Sequence, residues 1–322
     1  MKPLEVKIGV DLGGTKIEAV VVDEATQVLV TLRTDTPRGD YPATIDAIVT
    51  LVGEVAAQAG VDARTTPIGI GTPGAWVAAR QQMKNCNSTW LNGRPLLPDL
   101  IARLGDRVRI ANDADCFVLA EAFLGAARNA RSVFGVILGT GVGGGLVVDG
   151  RLLSGPNGLT GEWGHTPMPY LRADPCMGTD LKHLEDKLYD RDCYCGRKNC
   201  IETFISGPGL AHTHDMLWGQ VSDAQAICSA ASDPFAAQHE HAATTLDLYG
   251  HMLSRALAQI VNIIDPEALI LGGGLSNAEI LYRKLKLHLP AYVFAGECTT
   301  PVLAPLGGDS SGVLGAARLW AS

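Results

Sequence analysis

The sequence contains no long apolar run and no cluster of basic residues. Its longest uncharged stretch, Ser132–Val148, has 17 residues, six of them glycine, whereas a membrane-spanning helix needs about 20 mostly apolar residues. Acidic residues outnumber basic ones by 34 to 26, which gives a formal net charge of −8. Without a basic patch to contact phosphate backbones, nucleic-acid binding is disfavoured. Neither a membrane nor a nucleic acid is therefore expected as a partner, and small molecules are the expected ligands.

The start of the chain has no basic segment followed by an apolar stretch, so no signal peptide is expected. The chain has 322 residues, of which 47% are hydrophobic. That composition predicts a globular protein. Because single cores stop growing at about 250 to 300 residues, two lobes are expected rather than one. We expect a soluble, cytoplasmic protein.

A segment near the start of the chain recurs 126 residues later. Ile8–Asp23 (IGVDLGGTKIEAVVVD) and Phe134–Asp149 (FGVILGTGVGGGLVVD) are identical at seven of sixteen positions. Each consists of an apolar, β-branched run, a glycine-rich turn and a second apolar run, which predicts a β-hairpin. The duplication predicts two similar α/β lobes, with the glycine turns facing a cleft. Chance similarity between Gly/Val-rich strands is the alternative.

Glycine-rich turns of this kind favour a nucleotide ligand, because backbone amides without a Cβ can approach phosphate oxygens closely. The second copy fits G-x-G-x-x-G, but a strand follows it instead of a helix, and no P-loop pattern occurs in the chain. Both observations disfavour the common dinucleotide and P-loop folds. A third turn, Gly272–Gly274, follows an apolar strand at Ala268–Leu271 and a helical pattern over 246–264 that ends before Pro266. It predicts either a shelf for an adenine ring or an ordinary tight turn.

The three glycine turns resemble known nucleotide motifs. DLGGTK at Asp11–Lys16, GTGVGGG at Gly139–Gly145 and LGGG at Leu271–Gly274 are similar to the two phosphate motifs and the adenosine motif of the actin-like ATPase superfamily.

Further motifs resemble the ROK sugar kinases within that superfamily. They are GEWGH at Gly161–His165, CYCGRKNCIE at Cys193–Glu202 and ANDAD at Ala111–Asp115. NSTWLNG at Asn87–Gly93 and GHTPMP at Gly164–Pro169 are most similar to the fructokinase and mannokinase branch.

The resemblance implies an α/β, two-lobed actin-like ATPase (ribonuclease-H-like) fold with a zinc-binding loop. Residues 1–117 would form the N-terminal lobe, with 312–322 returning to it and Gly312–Trp320 forming a last helix. Residues 118–311 would form the C-terminal lobe with the zinc loop. A homodimer is typical of the family.

Two departures from the family pattern stand out. Leu171–Asp192 inserts a charged segment, with the partly helical pattern DLKHLEDKLYD, between His165 and Cys193. Asn199 occupies a position where the family has glycine. Because Asn tolerates φ > 0 better than other non-glycine residues, the turn is expected to persist.

The implied activity is ATP-dependent phosphorylation of the 6-hydroxyl of a free hexose. Fructose or mannose is the expected substrate. Within the family the alternative is an N-acetylglucosamine or glucose kinase, and outside it a non-catalytic, sugar-sensing ATP-binding protein. Asp11 is expected near Mg²⁺, through water, although a turn aspartate at a strand end is the alternative. The residues expected to bind ATP are Gly13, Gly14, Thr15, Lys16, Gly139, Thr140, Gly141, Gly143, Gly272, Gly273 and Gly274, of which Lys16 is equally well an ordinary exposed lysine.

Asp113 is expected to be the general base, since a hydroxyl that attacks a phosphoryl group must lose its proton. The residues alone favour a simpler role, in which Asn112 or Asp113 caps a helix predicted over Asp115–Ala127. The resemblance to the family motif favours catalysis. A position at a helix N-terminus is expected to keep the pKa of this carboxylate below neutral.

Three cysteines fall within eight residues, at Cys193, Cys195 and Cys200, and His165 is the candidate fourth ligand. Cys₃His is a closed, tetrahedral zinc site of the structural kind. Reduced cysteines without a metal are the alternative.

The resemblance places Glu162 and Glu202 on sugar hydroxyls, and both are expected away from the nucleotide turns. The second ring nitrogen of His165 is expected on the sugar, since metal-bound imidazoles usually bind a partner through that nitrogen. Both glutamates are otherwise ordinary surface carboxylates. Trp76, Trp90 and Trp163 lie beside these motifs and are expected either on the sugar or in the core. The remaining residues expected around the sugar are Gly74, Asn87, Thr89, Asn112 and Asp113.

Overall fold

The structure is a computed structural model, and it describes residues 6–308 and 311–320. Within these residues the strands form two five-stranded sheets and one two-stranded sheet. In the first sheet and the two-stranded sheet they are β1 (Lys7–Leu12), β2 (Lys16–Val22), β3 (Val28–Asp35), β4 (Ile68–Thr72), β5 (Ala75–Val77), β6 (Gln82–Lys84) and β7 (Val108–Asn112). In the second sheet they are β8 (Ser132–Leu138), β9 (Val142–Val148), β10 (Arg151–Leu152), β11 (Ala268–Gly272) and β12 (Val302–Leu303).

The two large sheets share one topology. Their strand orders are β3-β2-β1-β4-β7 and β10-β9-β8-β11-β12. The strand β1 pairs antiparallel with β2 and parallel with β4, and β8 pairs parallel with β11. Shifting the bounds of β2 by 126 residues gives 142–148, which are the bounds of β9. Both predicted hairpins are therefore confirmed as pairs of neighbouring strands, each at the centre of its own sheet.

The helices of the described residues are α1 (Tyr41–Ala59), α2 (Leu96–Leu104), α3 (Asp113–Phe123), α4 (Thr179–Glu185), α5 (Glu202–Ile205), α6 (Gly207–Trp218), α7 (Ala224–Ser232), α8 (His239–Ile264), α9 (Glu279–Tyr292) and α10 (Ser311–Arg318). Side chains cap the N-termini of four of these helices, α1, α3, α6 and α7. At the start of α1, the Asp40 carboxylate accepts the Ala43 N–H at 3.0 Å, and Gly60 ends the helix in the left-handed region, with φ 69°. The helix predicted before Pro266 is α8. Among the described residues no helix is long and apolar enough to cross a membrane.

Helix α10 packs against β1 and β4 of the first sheet. A Cβ on Gly9 of β1 would lie 2.2 Å from the carbonyl oxygen of Val313, and one on Gly69 of β4 would lie 1.8 Å from that of Ala316. Glycine at both positions lets the helix backbone touch the strands. The last helix, expected over 312–320, thus lies on the first sheet.

Contacts divide the chain into two compact units. The first comprises Met1–Asn129, Gly145–Thr160 and Leu306–Ser322, and the second Ala130–Gly144 and Gly161–Pro305. These bounds differ from the lobe boundaries expected at residues 117 and 311, because α3 lies with the first unit. Its fully buried Glu121 accepts the N–H groups of Leu306 and Gly307 at 3.0 and 2.8 Å.

The inserted segment Leu171–Asp192 is anchored to α8 through a buried ion cluster. As expected it is partly helical, since it contains α4. Arg255 of α8 is fully buried and pairs with two carboxylates of the segment, Asp174 at 2.9 Å and Glu185. The Tyr292 hydroxyl donates to Asp174 at 2.6 Å. One guanidinium therefore holds Asp174, which precedes α4, and Glu185, the last residue of α4, against α8.

Candidate active site

The carboxyl ends of β1, β4 and β7 bring the predicted acidic residues of the first unit to one edge of its sheet. Asp11 is level with Gly71 across the parallel β1–β4 pair. Asp113 directly follows Asn112, which is level with Thr72 across the parallel β4–β7 pair. Ligands of open α/β sheets bind outside this edge. Asp11 and Asp113 are close enough to repel each other electrostatically.

The first glycine turn, between β1 and β2, is held through its carbonyl groups. The Gly13 N–H donates to Lys16 O at 3.0 Å. The Thr36 hydroxyl donates to Gly13 O at 2.8 Å, and Arg38 Nε donates to Gly14 O at 3.1 Å. The side chains of Thr15 and Lys16 are exposed, which fits either role of Lys16.

Helix α3 is capped by Asn112 and not by Asp113. The Asn112 side chain accepts the Asp115 N–H at 2.6 Å, whereas Asp113 Oδ1 accepts the N–H of the next residue, Ala114, at 2.8 Å. Capping therefore accounts for the Asn112 side chain, whereas the Asp113 carboxylate does not cap the helix. The Asp113 side chain retains access to solvent.

Burial dominates the electrostatics of both carboxylates. It raises the pKa of Asp11 to about 6, with repulsion from Asp113 and Glu18 adding to the effect. Burial also raises the pKa of Asp113, against the smaller lowering effect of the Ala114 N–H. The loss of hydration therefore outweighs the amide hydrogen bond at the helix N-terminus, and a pKa below neutral for Asp113 stays a prediction.

The second glycine turn, Gly139–Val142, is held by the chain that follows the cysteine-rich loop. The Gly207 N–H donates to Gly139 O at 2.8 Å, and the Val142 N–H donates to Glu202 Oε2 at 2.8 Å. A Cβ at Gly141 would lie only 2.7 Å from this carboxylate oxygen, so glycine permits the close approach. The expectation that Glu202 lies away from the nucleotide turns is wrong, because its carboxylate contacts the second of them.

The third glycine turn approaches the second one within the second unit. Gly273 has φ 80°, and a Cβ on it would lie 2.5 Å from Leu138 O, so only glycine fits there. Gly272 is the last residue of β11, and Gly143 in β9 accepts the Trp163 indole N–H at 2.9 Å. These glycines shape the backbone around the turns.

A cavity of about 810 Å³ opens between these two turns and helices α6 and α7. Its walls include Gly139, Thr140 and Gly274 from the predicted turns. This volume is typical of a pocket for a nucleotide-sized ligand. Polar residues that the sequence did not single out also line it, among them Asp223, Ser229, Asn277 and Glu279. No motif marks them, since their neighbours in space are far away in the sequence.

The cysteine-rich loop gathers its four predicted ligands into one cluster. The candidate ligand atoms of His165, Cys193, Cys195 and Cys200 lie within 4.8 Å of one another. Cys195 Sγ and Cys200 Sγ are 3.6 Å apart, and His165 Nδ1 and Cys193 Sγ are 3.5 Å apart. Ligand bonds of about 2.0 to 2.3 Å in a tetrahedron give separations of this size, so the donor set fits Zn²⁺. Asn199 has φ 57°, as its place in the turn predicted.

The second ring nitrogen of His165 is paired within the protein. His165 Nε2 lies 2.8 Å from the Tyr194 hydroxyl and 4.0 Å from Glu162 Oε2. It was expected on the sugar, whereas the structure places it on Tyr194, a residue that sequence reasoning missed. Tyr194 stands between two of the cysteines in CYC, and that spacing alone gives no sign of the contact.

The remaining residues expected around the sugar differ in their surroundings. In the first unit Asn87 and Thr89 have exposed side chains, and Gly74 lies against Cys86. The three tryptophans were expected either on the sugar or in the core, and the structure places them at the cores. Trp76 and Trp90 pack on the core of the first unit, and Trp163 is buried in the second.

Similar proteins cover nearly the whole chain. The ROK family model matches residues 7–322. An N-acetyl-D-glucosamine kinase of Pectobacterium carotovorum is 37% identical over 311 residues, or 97% of both chains, and one of Vibrio vulnificus is 35% identical over 313 residues, or 97% of this chain and 98% of the relative. A ROK hexokinase structure from Thermus thermophilus is 27% identical with a TM-score of 0.79 and covers 98% of this chain and 97% of the relative. A ROK glucokinase structure from Streptomyces griseus is 26% identical with a TM-score of 0.71 and covers 98% of both chains.

These structural relatives share the actin-like ATPase fold that the glycine turns predicted. The agreement of family model, relatives and structures over the same residues leaves one conclusion. The chain belongs to the ROK family, among its sugar kinases.

Proposed function

We propose that the protein is an ATP-dependent N-acetylglucosamine kinase that phosphorylates the sugar 6-hydroxyl. The observation that carries the proposal is the 37% identity to an N-acetyl-D-glucosamine kinase over 97% of both chains. It favours the alternative sugar over fructose and mannose, the first choices from the motifs. Glucose is the second candidate, because the glucokinase of Streptomyces griseus is 26% identical over 98% of the chain.

The proposed reaction transfers one phosphoryl group between two oxygens. The sugar 6-oxygen forms a bond to the γ-phosphorus, the bond from that phosphorus to the β,γ-bridging oxygen breaks, and ADP leaves with the electron pair. The hydroxyl proton goes to a carboxylate oxygen of Asp113. A raised pKa suits this role, because a base is most effective when its pKa approaches the working pH.

ATP is proposed to lie in the cavity of about 810 Å³, with its phosphates on the glycine turns. Asp11 is proposed to orient water around Mg²⁺, which would neutralise phosphate charge when bound. A carboxylate at a sheet edge beside a second acid is suited to a cation, since a positive charge removes the repulsion that raises its pKa.

The sugar is proposed to contact Glu162 and Glu202 in the second unit, and His165 through Nε2 in place of the Tyr194 hydroxyl. Gly74, Asn87, Thr89 and Asn112 are proposed to contribute from the first. Zinc on the Cys₃His cluster is proposed to be structural, holding the loop that carries these acids. A homodimer and a cytoplasmic location remain predictions.

A screen of sugars tests the proposed substrate. ADP release, measured by a coupled assay, is expected to give N-acetylglucosamine a kcat/KM at least roughly tenfold above that of fructose or mannose, because only a pocket with room at the 2-position takes the acetyl group. Preference for fructose or mannose would restore the first expectation. Binding of sugar and ATP without ADP release would instead indicate a sensor.

Substitution of the proposed base should affect chemistry more than binding. Asp113→Asn is expected to lower kcat by roughly 10² to 10⁴, the usual contribution of a general base, while the sugar Kd from calorimetry stays within about tenfold. The helix keeps its Asn112 cap, so a loss cannot be attributed to unwinding of α3. Asp46→Asn, at an exposed position of α1, is the matched control and should leave kcat unchanged. A variant at Asp113 with near-normal kcat would exclude this residue as the base.

Ionisation of Asp11 should lower the free energy of unfolding of the metal-free protein as the pH rises. Its pKa in the folded state is about 6, above the ordinary 3.8, so folding binds a proton more tightly and the free energy of unfolding falls between about pH 4 and pH 6. Asp11→Asn removes that loss and should raise the stability at pH 7 to 8 by up to about 3 kcal/mol. Near pH 4 the two proteins should match.

Urea unfolding of both proteins between pH 4 and 8, in chelator, measures this difference. Equal stability of the two at pH 8 would contradict the electrostatic account of Asp11.

Metal analysis tests the cysteine-rich loop. Freshly purified protein is expected to hold about one zinc per chain, as a single tetrahedral site requires. Cys195→Ser should lose the zinc and lower the Tm, while Cys176→Ser, an exposed cysteine outside the cluster, should keep both. Wild-type protein without zinc, purified in the absence of chelator, would rule out the site.

A further inference from the structure

The second glycine turn depends on a corner formed by α5 and α6. Glu202, the first residue of α5, accepts the Val142 N–H, and Gly207, the first residue of α6, donates to Gly139 O, both at 2.8 Å. These contacts grip the turn at its two ends. The relative position of α5 and α6 therefore fixes the spacing between the ends of the turn.

Arg191, near the end of the inserted segment, joins the two helices of this corner. Its Nη1 donates to Thr203 O of α5 at 2.6 Å and to Gly209 O of α6 at 3.3 Å. Its Nη2 donates to the Thr213 hydroxyl, also of α6, at 2.9 Å. The guanidinium lies over the Phe204 ring, 4.4 Å from its centre. One side chain thus contacts the backbone of both helices.

Burial of the Arg191 charge costs hydration free energy, because the residue is almost fully removed from water. The residue is only 5% exposed, and the acceptors it is seen to use are two carbonyls and a hydroxyl, all uncharged. In the described part of the chain its Nε has no hydrogen-bond partner. Burial lowers its pKa to about 10, so the side chain stays charged at neutral pH. An apolar side chain would fill the space with less loss of hydration.

Arginine offers what an apolar residue or lysine lacks at this place. Its planar guanidinium presents donors in fixed directions and can bind acceptors on two elements at once, whereas lysine presents one compact ammonium. Residue Thr203 lies in the single turn of α5, whose carbonyls have few partners within so short a helix. A positive charge at the end of a helix satisfies such carbonyls.

We propose that Arg191 is a positioning residue for phosphate binding, which locks the α5–α6 corner so that the second glycine turn presents its amides to ATP. The proposal rests on the proposed function, in which this turn binds phosphate. It also gives the inserted segment a role. Arg255 anchors the segment on α8, and the segment delivers Arg191 to the corner.

Binding measurements with two ligands test the proposal. Calorimetry is carried out with ATP and with adenosine, which lacks phosphates. Arg191→Met is expected to weaken ATP binding roughly tenfold or more, a loss of about 1.4 kcal/mol, while the adenosine Kd changes less than about twofold. Arg191→Lys should fall between, because it keeps the charge but not the fork. Arg172→Met, which removes an exposed arginine of the same segment stacked on Tyr189, should match wild type.

Hydrogen exchange supplies an independent readout. Peptides that contain Val142 and Gly207 should exchange hydrogen faster in both Arg191 variants than in wild type. In Arg172→Met they should exchange at the wild-type rate. If Arg191→Met fails to fold, Thr213→Val, which removes one acceptor and keeps the shape, should give the same pattern at smaller amplitude.

The outcomes separate the two proposals. Unchanged ATP binding and unchanged exchange in a folded Arg191 variant would overturn the positioning role and leave the kinase proposal intact. Equal weakening of ATP and adenosine would also overturn it, since a merely structural residue acts on both. Wild-type protein that binds no ATP would overturn the proposed function, and the positioning role with it.

Discussion

A glycine turn cannot hold its own shape. In Gly139–Val142 two of the four residues are glycines, which have no side chain to pack. Hydrogen bonds from the turn to the Glu202 carboxylate, and to the turn from the Gly207 N–H, therefore supply the order that packed side chains supply elsewhere. Much else in the second unit follows from this need, including the short α5 and the buried arginine beside it.

The first unit differs from the second in that its candidate site brings two carboxylates close together. Asp11 and Asp113 lie at the same sheet edge, and burial raises the pKa of both. A protein optimised for stability alone would not keep two repelling carboxylates there. Their placement is understandable if a cation and a transferable proton are bound during the reaction, since each relieves the repulsion in turn.

Local features were predictable from the sequence, and contacts between distant residues were not. The paired hairpins and α8 follow from periodicity and turn residues, and the φ of Asn199 from the intrinsic tolerance of its side chain. The contact of Glu202 with Val142, by contrast, joins residues 60 positions apart. The rise in the pKa of Asp113 was also beyond local reasoning, since the depth of burial that causes it is set by the whole unit. The choice of sugar depends on pocket shape, which short motifs such as NSTWLNG do not encode.

The contact between α10 and the first sheet bears on how the chain folds. Val313 touches Gly9 and Ala316 touches Gly69, so the central strands of that sheet pair with a surface made about 250 to 300 residues later. Such high contact order slows folding. During synthesis the face of β1 that carries Gly9 stays uncovered until α10 is made, after the second unit. The first sheet is thus made before its covering helix and completed only after it, and surface exposed in such an interval is prone to aggregate.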